Sequence, residues 1–161
     1  MSKAQSPQEY FRLLLLTVVG QAFTAAGYAL EDRPVQWAGG LYRFSKPLDG
    51  GLHAFIEYQL LAYADTMWAS RQPSRFRVTL TRTDQVAPDQ ASQHPQYAQR
   101  DLSTLVVEDF GVAILPSSDY WWTFANTTEL GNTLAEAGHL VIGYGMPWLS
   151  GDLVPPSGDR G

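Results

Sequence analysis

A chain of 161 residues, 45% of them hydrophobic, is long enough for one domain with a real core and too short for two ordinary ones. Its 11 basic and 16 acidic residues leave a formal charge of -5, which disfavours a general nucleic-acid binder, whose affinity comes from neutralising phosphates. The absence of cysteine removes disulfides, thiolate catalysis, iron–sulfur clusters and cysteine zinc sites together, and the cytoplasm is the expected compartment.

Ser6-Pro7-Gln8-Glu9 reads as a capping box with proline at the first helical position. Tyr10, Leu14, Val18 and Ala22 recur every fourth residue with Phe11, Leu15, Val19 and Phe23 beside them, predicting a largely buried helix over 7–26 that Gly27 ends. Lys3 ahead of the Leu13 to Val19 run loosely resembles a secretory signal. Glu9 and Arg12 beside the run argue for an ordinary helix, and the run is too short to span a bilayer.

Beyond Pro34 and Gly39-Gly40 the period changes to two. Tyr42 and Phe44 alternate with Arg43 and Ser45, and Pro47 to Gly51 makes a turn. Ala54, Ile56, Tyr58 and Leu60 then alternate with Phe55, Glu57, Gln59 and Leu61. Phe76, Val78 and Leu80 form an inward set against outward Arg75, Arg77, Thr79 and Thr81. Residues 83–103 are polar and predict a long exposed loop, of a length usually associated with mobility or function. A fourth strand is expected over 104–115, bulged near Asp109 and Gly111, and a short fifth over 120–124. Asn126 or Thr127 should cap a second helix that carries Leu130, Leu134, Ala137 and Val141 and ends near Gly143 or Gly145. Residues 150–161 are expected to be a disordered tail.

This order predicts an α+β fold: a single two-layer domain over 1–149 with an N-terminal helix, an antiparallel four- or five-stranded meander sheet and a C-terminal helix on the same sheet face. Gly27-Tyr28 after a helix, the strand Phe55-Ile56-Glu57-Tyr58-Gln59, Trp121-Trp122 before a capped helix, and Gly145-Met146-Pro147-Trp148-Leu149 resemble a family of small bacterial proteins catalogued as domain of unknown function 4304. The resemblance spans residues 8–149 and implies a fold of this kind without implying a site.

Chemistry near neutral pH is sought first at histidine, and there are 3. His94 sits in the polar loop. Glu136 and His139 have the Glu-x-x-His spacing of di-iron bundles, but that chemistry needs a second such pair, so a surface ion pair is expected. His53 and Glu57, four residues apart on a strand, are roughly 13 Å apart and form no dyad. No nucleophile elbow, phosphate loop or His-Glu-x-x-His motif occurs, and Gly143-Tyr144-Gly145 reads as a turn ending a helix. Asp101, Glu108, Asp109 and Asp119 are carboxylates whose meeting in space the sequence leaves open. The expectation is no catalytic residue, no metal and no cofactor.

The sheet face opposite the helices should display Arg43, Glu57, Gln59, Arg75 and Arg77, with Thr79 and Thr81. Such a face is normally solvated, with cross-strand pairs such as Glu57 to Arg75 or Arg77; alternatively its arginine forks read an acidic partner. Flanked by Phe55 and Leu61, it could equally serve a homodimer. Trp68 and Trp37 are candidate interface anchors, with packing against the sheet edge as the ordinary alternative. The leading expectation is a non-enzymatic protein-interaction module, accessory or immunity-like, that binds neither nucleic acid nor membrane. The alternative is a small-molecule-binding protein or small enzyme with a pocket between sheet and helices, walled by Tyr58, Tyr120 or Trp122.

Overall fold

The computed structural model describes residues 6–62 and 73–156. Ser6 begins the first helix as a full capping box: its hydroxyl accepts from the Glu9 amide at 3.1 Å, and the Glu9 carboxylate accepts from the Ser6 amide at 3.2 Å. From there α1 (Pro7–Leu15) passes through a π-helical turn, Leu16–Gly20, into α2 (Gln21–Ala25). Gly27 stops it with a φ of 95°, a conformation that costs other residues a side-chain clash.

The chain then lays down β1 (Ala29–Leu30), a short α3 (Pro34–Ala38), β2 (Leu41–Pro47), β3 (His53–Leu61) and β4 (Ser74–Thr83). Two further strands, β5 (Ala98–Asp101) and β6 (Trp122–Phe124), share the free edge of β4. The first pairs with its Thr79–Arg82 end and the second with its Ser74–Phe76 end. The sheet is antiparallel throughout, in the order β1-β2-β3-β4-β5 with β6 on β4.

Alternation decides what each face meets. Tyr42, Phe44, Ala54, Ile56, Tyr58, Leu60, Phe76, Val78 and Leu80 are buried beneath Phe11, Leu15, Val19 and Phe23 of the first helix and Leu130, Leu134, Ala137 and Val141 of the C-terminal one. Each large apolar side chain moved there from water stabilises the fold by about 1.5–3 kcal/mol. Trp122 stacks on Phe76 with centroids 5.6 Å apart, and its indole N–H donates to Glu136 Oε1 at 3.0 Å, joining β6 to the helix layer. The fold class is therefore α+β, with both helices on one face of the sheet.

Three expectations are corrected. Residues 104–115 do not form a strand: α4 (Leu102–Thr104) and a π-helical turn (Leu105–Asp109) put Leu102, Leu105 and Val106 into the core from one helical side. The 83–103 region is not loop throughout, because β5 lies within it. The last helix does not end at Gly143 or Gly145. Capped by Asn126, α5 (Thr127–Leu140) runs through the π-helical turn Val141–Gly145 into α6 (Met146–Ser150) and stops at Gly151, with a φ of 85°. Gly145 serves close packing instead, since a β-carbon there would stand 3.2 Å from Leu80 Cδ1. Gly138 has the same role more strictly, its added β-carbon meeting Val19 Cγ1 at 2.7 Å.

Candidate functional site

The outward side chains of β2, β3 and β4 separate into two groups with different surroundings. On the first half, Arg43 stands directly across from Glu57 in the β2–β3 register, and its Nε donates to Glu57 Oε2 at 2.9 Å while Nη1 lies 3.5 Å from Glu31 Oε1. Arg43 is only 5% exposed, and Phe55 beside it is buried. Burial raises the Glu57 carboxyl above the usual carboxylate range, Arg43 pulls it down, and the charges of Asp89 and Glu31 push it further up. Asp89 belongs to residues 84–97, the segment between β4 and β5, in which Pro88 is buried. Thr81 and Thr83 are buried too, Thr81 accepting from Gln99 Nε2 at 3.0 Å.

This half is covered, which corrects the expectation that Arg43 and Glu57 would be displayed to solvent. It also corrects the pairing, since Glu57 takes Arg43 and neither Arg75 nor Arg77. Gln59 is likewise occupied: its amide donates to the carbonyls of Gly39 at 3.2 Å and Leu60 at 3.1 Å, holding the turn in which Gly40 approaches β3.

The second half keeps its arginines available. Arg75 and Arg77, two residues apart on β4, have their Cζ atoms 4.6 and 4.9 Å from the centroid of the Trp121 ring. The β4–β6 register puts Trp122 in the core opposite Phe76, and the period-two alternation then turns its neighbour Trp121 to the outer face. With Asp101, Ser103, Asp119 and Tyr120 these residues line a cleft of about 400 Å³. Arg77 is 46% exposed and lies 3.9 Å from Asp101, whose other oxygen accepts from Thr79 Oγ1 at 3.1 Å. The Arg75 Nε is buried and has no hydrogen-bond acceptor among the described residues. Trp121 thus holds two guanidinium groups near one indole ring, Arg77 exposed and Arg75 with its Nε covered.

Two other clefts are less suited to recognition by charge. A larger one of about 700 Å³ includes Lys46, Asp49, Arg82, Gln96 and Asp152, but its arginine is committed to structure. Arg82 Nε donates to the Gln96 carbonyl at 2.7 Å and Nη1 to those of Trp148 and Leu149 at 3.0 and 3.3 Å, so it caps the end of the helix layer. A third, of about 430 Å³, contains Arg12 stacked 4.4 Å over Trp37, a half-buried ring packed at the margin of the core. Trp68 lies outside the described residues.

The remaining candidates stay apart. Among the described residues, no three His, Asp or Glu side chains come close enough to hold a metal ion. Glu136 accepts from the Trp122 indole and makes no ion pair with His139. His94 Nδ1 accepts from the Gln96 amide at 3.0 Å, a turn within its own loop. Asp109 is taken by Arg100, whose Nε and Nη2 grip its two oxygens at 2.8 and 2.6 Å. Trp121 is the site residue that sequence reasoning missed. Its signal was present, because where two consecutive rings, Trp121 and Trp122, lead into a strand only one of them can face the core.

Among the described residues no helix is long and apolar enough to cross a membrane. No protein-family model, curated protein or solved structure matches this chain.

Proposed function

We propose that this chain is a non-enzymatic protein-interaction module, accessory or immunity-like, and that it holds its partner at the Arg75–Arg77–Trp121 cleft. The observation that carries the reading is the state of the arginines there: stacked on one indole, lining a cleft, with a buried Arg75 Nε that has no acceptor among the described residues. Arginine and tryptophan together are the side chains most often found to dominate binding energy at protein interfaces.

The alternative of a ligand pocket between sheet and helices has less support, because Phe23, Phe44, Tyr58, Phe76 and Trp122 occupy that space in mutual ring contact. Nucleic acid is disfavoured at the cleft by Asp101 and Asp119 beside the arginines. The test is affinity capture from a lysate of the source organism with an Arg75→Glu/Arg77→Glu control, read by mass spectrometry. A stoichiometric protein lost in the control supports the reading, whereas the same protein retained at full yield removes this face from it.

A further inference from the structure

Four of the seven described arginines place an oxygen on Nε. Arg33 Nε donates to Glu31 at 2.9 Å, Arg43 Nε to Glu57 at 2.9 Å and Arg100 Nε to Asp109 at 2.8 Å, the last completed by Nη2 on the second oxygen. Arg82 Nε uses a carbonyl oxygen. Arg75 Nε is buried and without an acceptor among the described residues, so it has lost water with no described oxygen in exchange.

We propose that the cleft binds a carboxylate carried by an acidic peptide segment, gripped along the Nε–Nη edge of Arg75 with Arg77 adding charge; this rests on the interaction reading above. A carboxylate is planar and singly charged, and it matches the two parallel donors of a guanidinium edge. A phosphate dianion fits less well. Asp101 already lies 3.9 Å from Arg77, and Asp119 also lines the cleft, so the two arginine charges are offset by two carboxylates, and a second negative charge on the ligand meets repulsion. A volume of about 400 Å³ admits one side chain or a chain end. The Nε atom is covered in the free protein, so the Arg75 side chain turns within the cleft when it takes its ligand.

The test is nuclear magnetic resonance of the arginine Nε–H signals in the full-length protein, with the Arg75 signal identified by its loss in Arg75→Lys. Four probes are titrated: acetyl-Gly-Glu-Gly-amide, its glutamine counterpart, acetyl-Gly-Gly-Gly with a free C-terminus, and inorganic phosphate. The expected result is a saturable shift of the Arg75 signal with one or both carboxylate peptides and none with the glutamine peptide. Arg75→Lys should weaken that binding about tenfold, followed on backbone amides that confirm its fold. The two carboxylate peptides distinguish an acidic side chain from a chain end.

Phosphate binding more tightly than either carboxylate overturns the proposal, as does an unmoved Arg75 signal or undiminished binding by Arg75→Lys. Partner capture lost on charge reversal while the peptides leave Arg75 unmoved discards the carboxylate and retains the interaction face. Capture indifferent to charge reversal beside a clear carboxylate response discards the partner reading and retains the ligand.

Discussion

Arg43 on β2 and Arg75 on β4, two strands separated by β3, both occupy the outward side of the sheet, in sequence contexts of the same alternating kind, and have opposite fates. Arg43 is buried between Glu57 and Glu31, whereas Arg75 leans on Trp121 at the wall of an open cleft. The difference arises far away in the chain. Glu31 follows β1 and Asp89 belongs to the segment before β5, so the charges around the first half come from elements that local alternation does not see. One half of the sheet face is consequently a structural ion-pair cluster, and the other leaves two arginines at a cleft.

Breaking the first half should have the largest effect. Arg43→Met leaves the largely covered Glu57 without its cation, while Glu31 keeps Arg33, and a loss of about 3 kcal/mol is expected in denaturant unfolding; a loss below about 1 kcal/mol would mean that the cluster is effectively solvated.

A smaller effect concerns pH. The folded protein holds the Glu57 carboxyl above its ordinary value, so the folded state binds that proton more tightly than the unfolded chain does. The stability this contributes is present below the ordinary glutamate range and is lost as pH rises through the raised value. The unfolding free energy of the parent protein minus that of Glu57→Gln should therefore fall with rising pH across this window, and a flat difference would contradict the assignment.

On the open half the expected magnitudes shrink. Trp121→Ala removes the shelf under two guanidinium groups, and a double-mutant cycle with Arg75→Ala should return a coupling of about 0.5–1 kcal/mol. Asp101→Asn, which touches an ion pair that is long and exposed, should change stability by less than about 0.5 kcal/mol. A large loss from that last variant would show that Asp101 acts through its bond from Thr79, and would shift the boundary between the two halves.

Much of this architecture was legible in local patterns. The capping box, the four-residue recurrence of the first helix and the alternation of β2 to β4 each have a short-range physical cause, and each appears where expected. Leu102, Leu105 and Val106 also had helical spacing, but Val106-Val107 and Thr104 are β-branched, and that preference for extended backbone concealed a helix stabilised by the core. Gly143 and Gly145 looked like stops because glycine ends helices readily. Here Gly145 gives Leu80 room, a requirement visible only once the helix lies on the sheet. The site was half legible: Arg75 and Arg77 were found by alternation, while Trp121 was hidden by the core role of its neighbour.

Arg82 has a consequence for how the molecule opens. From a single position on β4 its guanidinium bonds the Gln96 carbonyl before β5 and the Trp148 and Leu149 carbonyls at the end of the last helix. Two segments more than fifty residues apart in the chain are thus fastened by one cation, and freeing either strands donors that serve the other. In local unfolding they should behave as one cooperative unit, and hydrogen exchange is expected to give the amides around Gln96 and those of the last helical turn a common opening free energy.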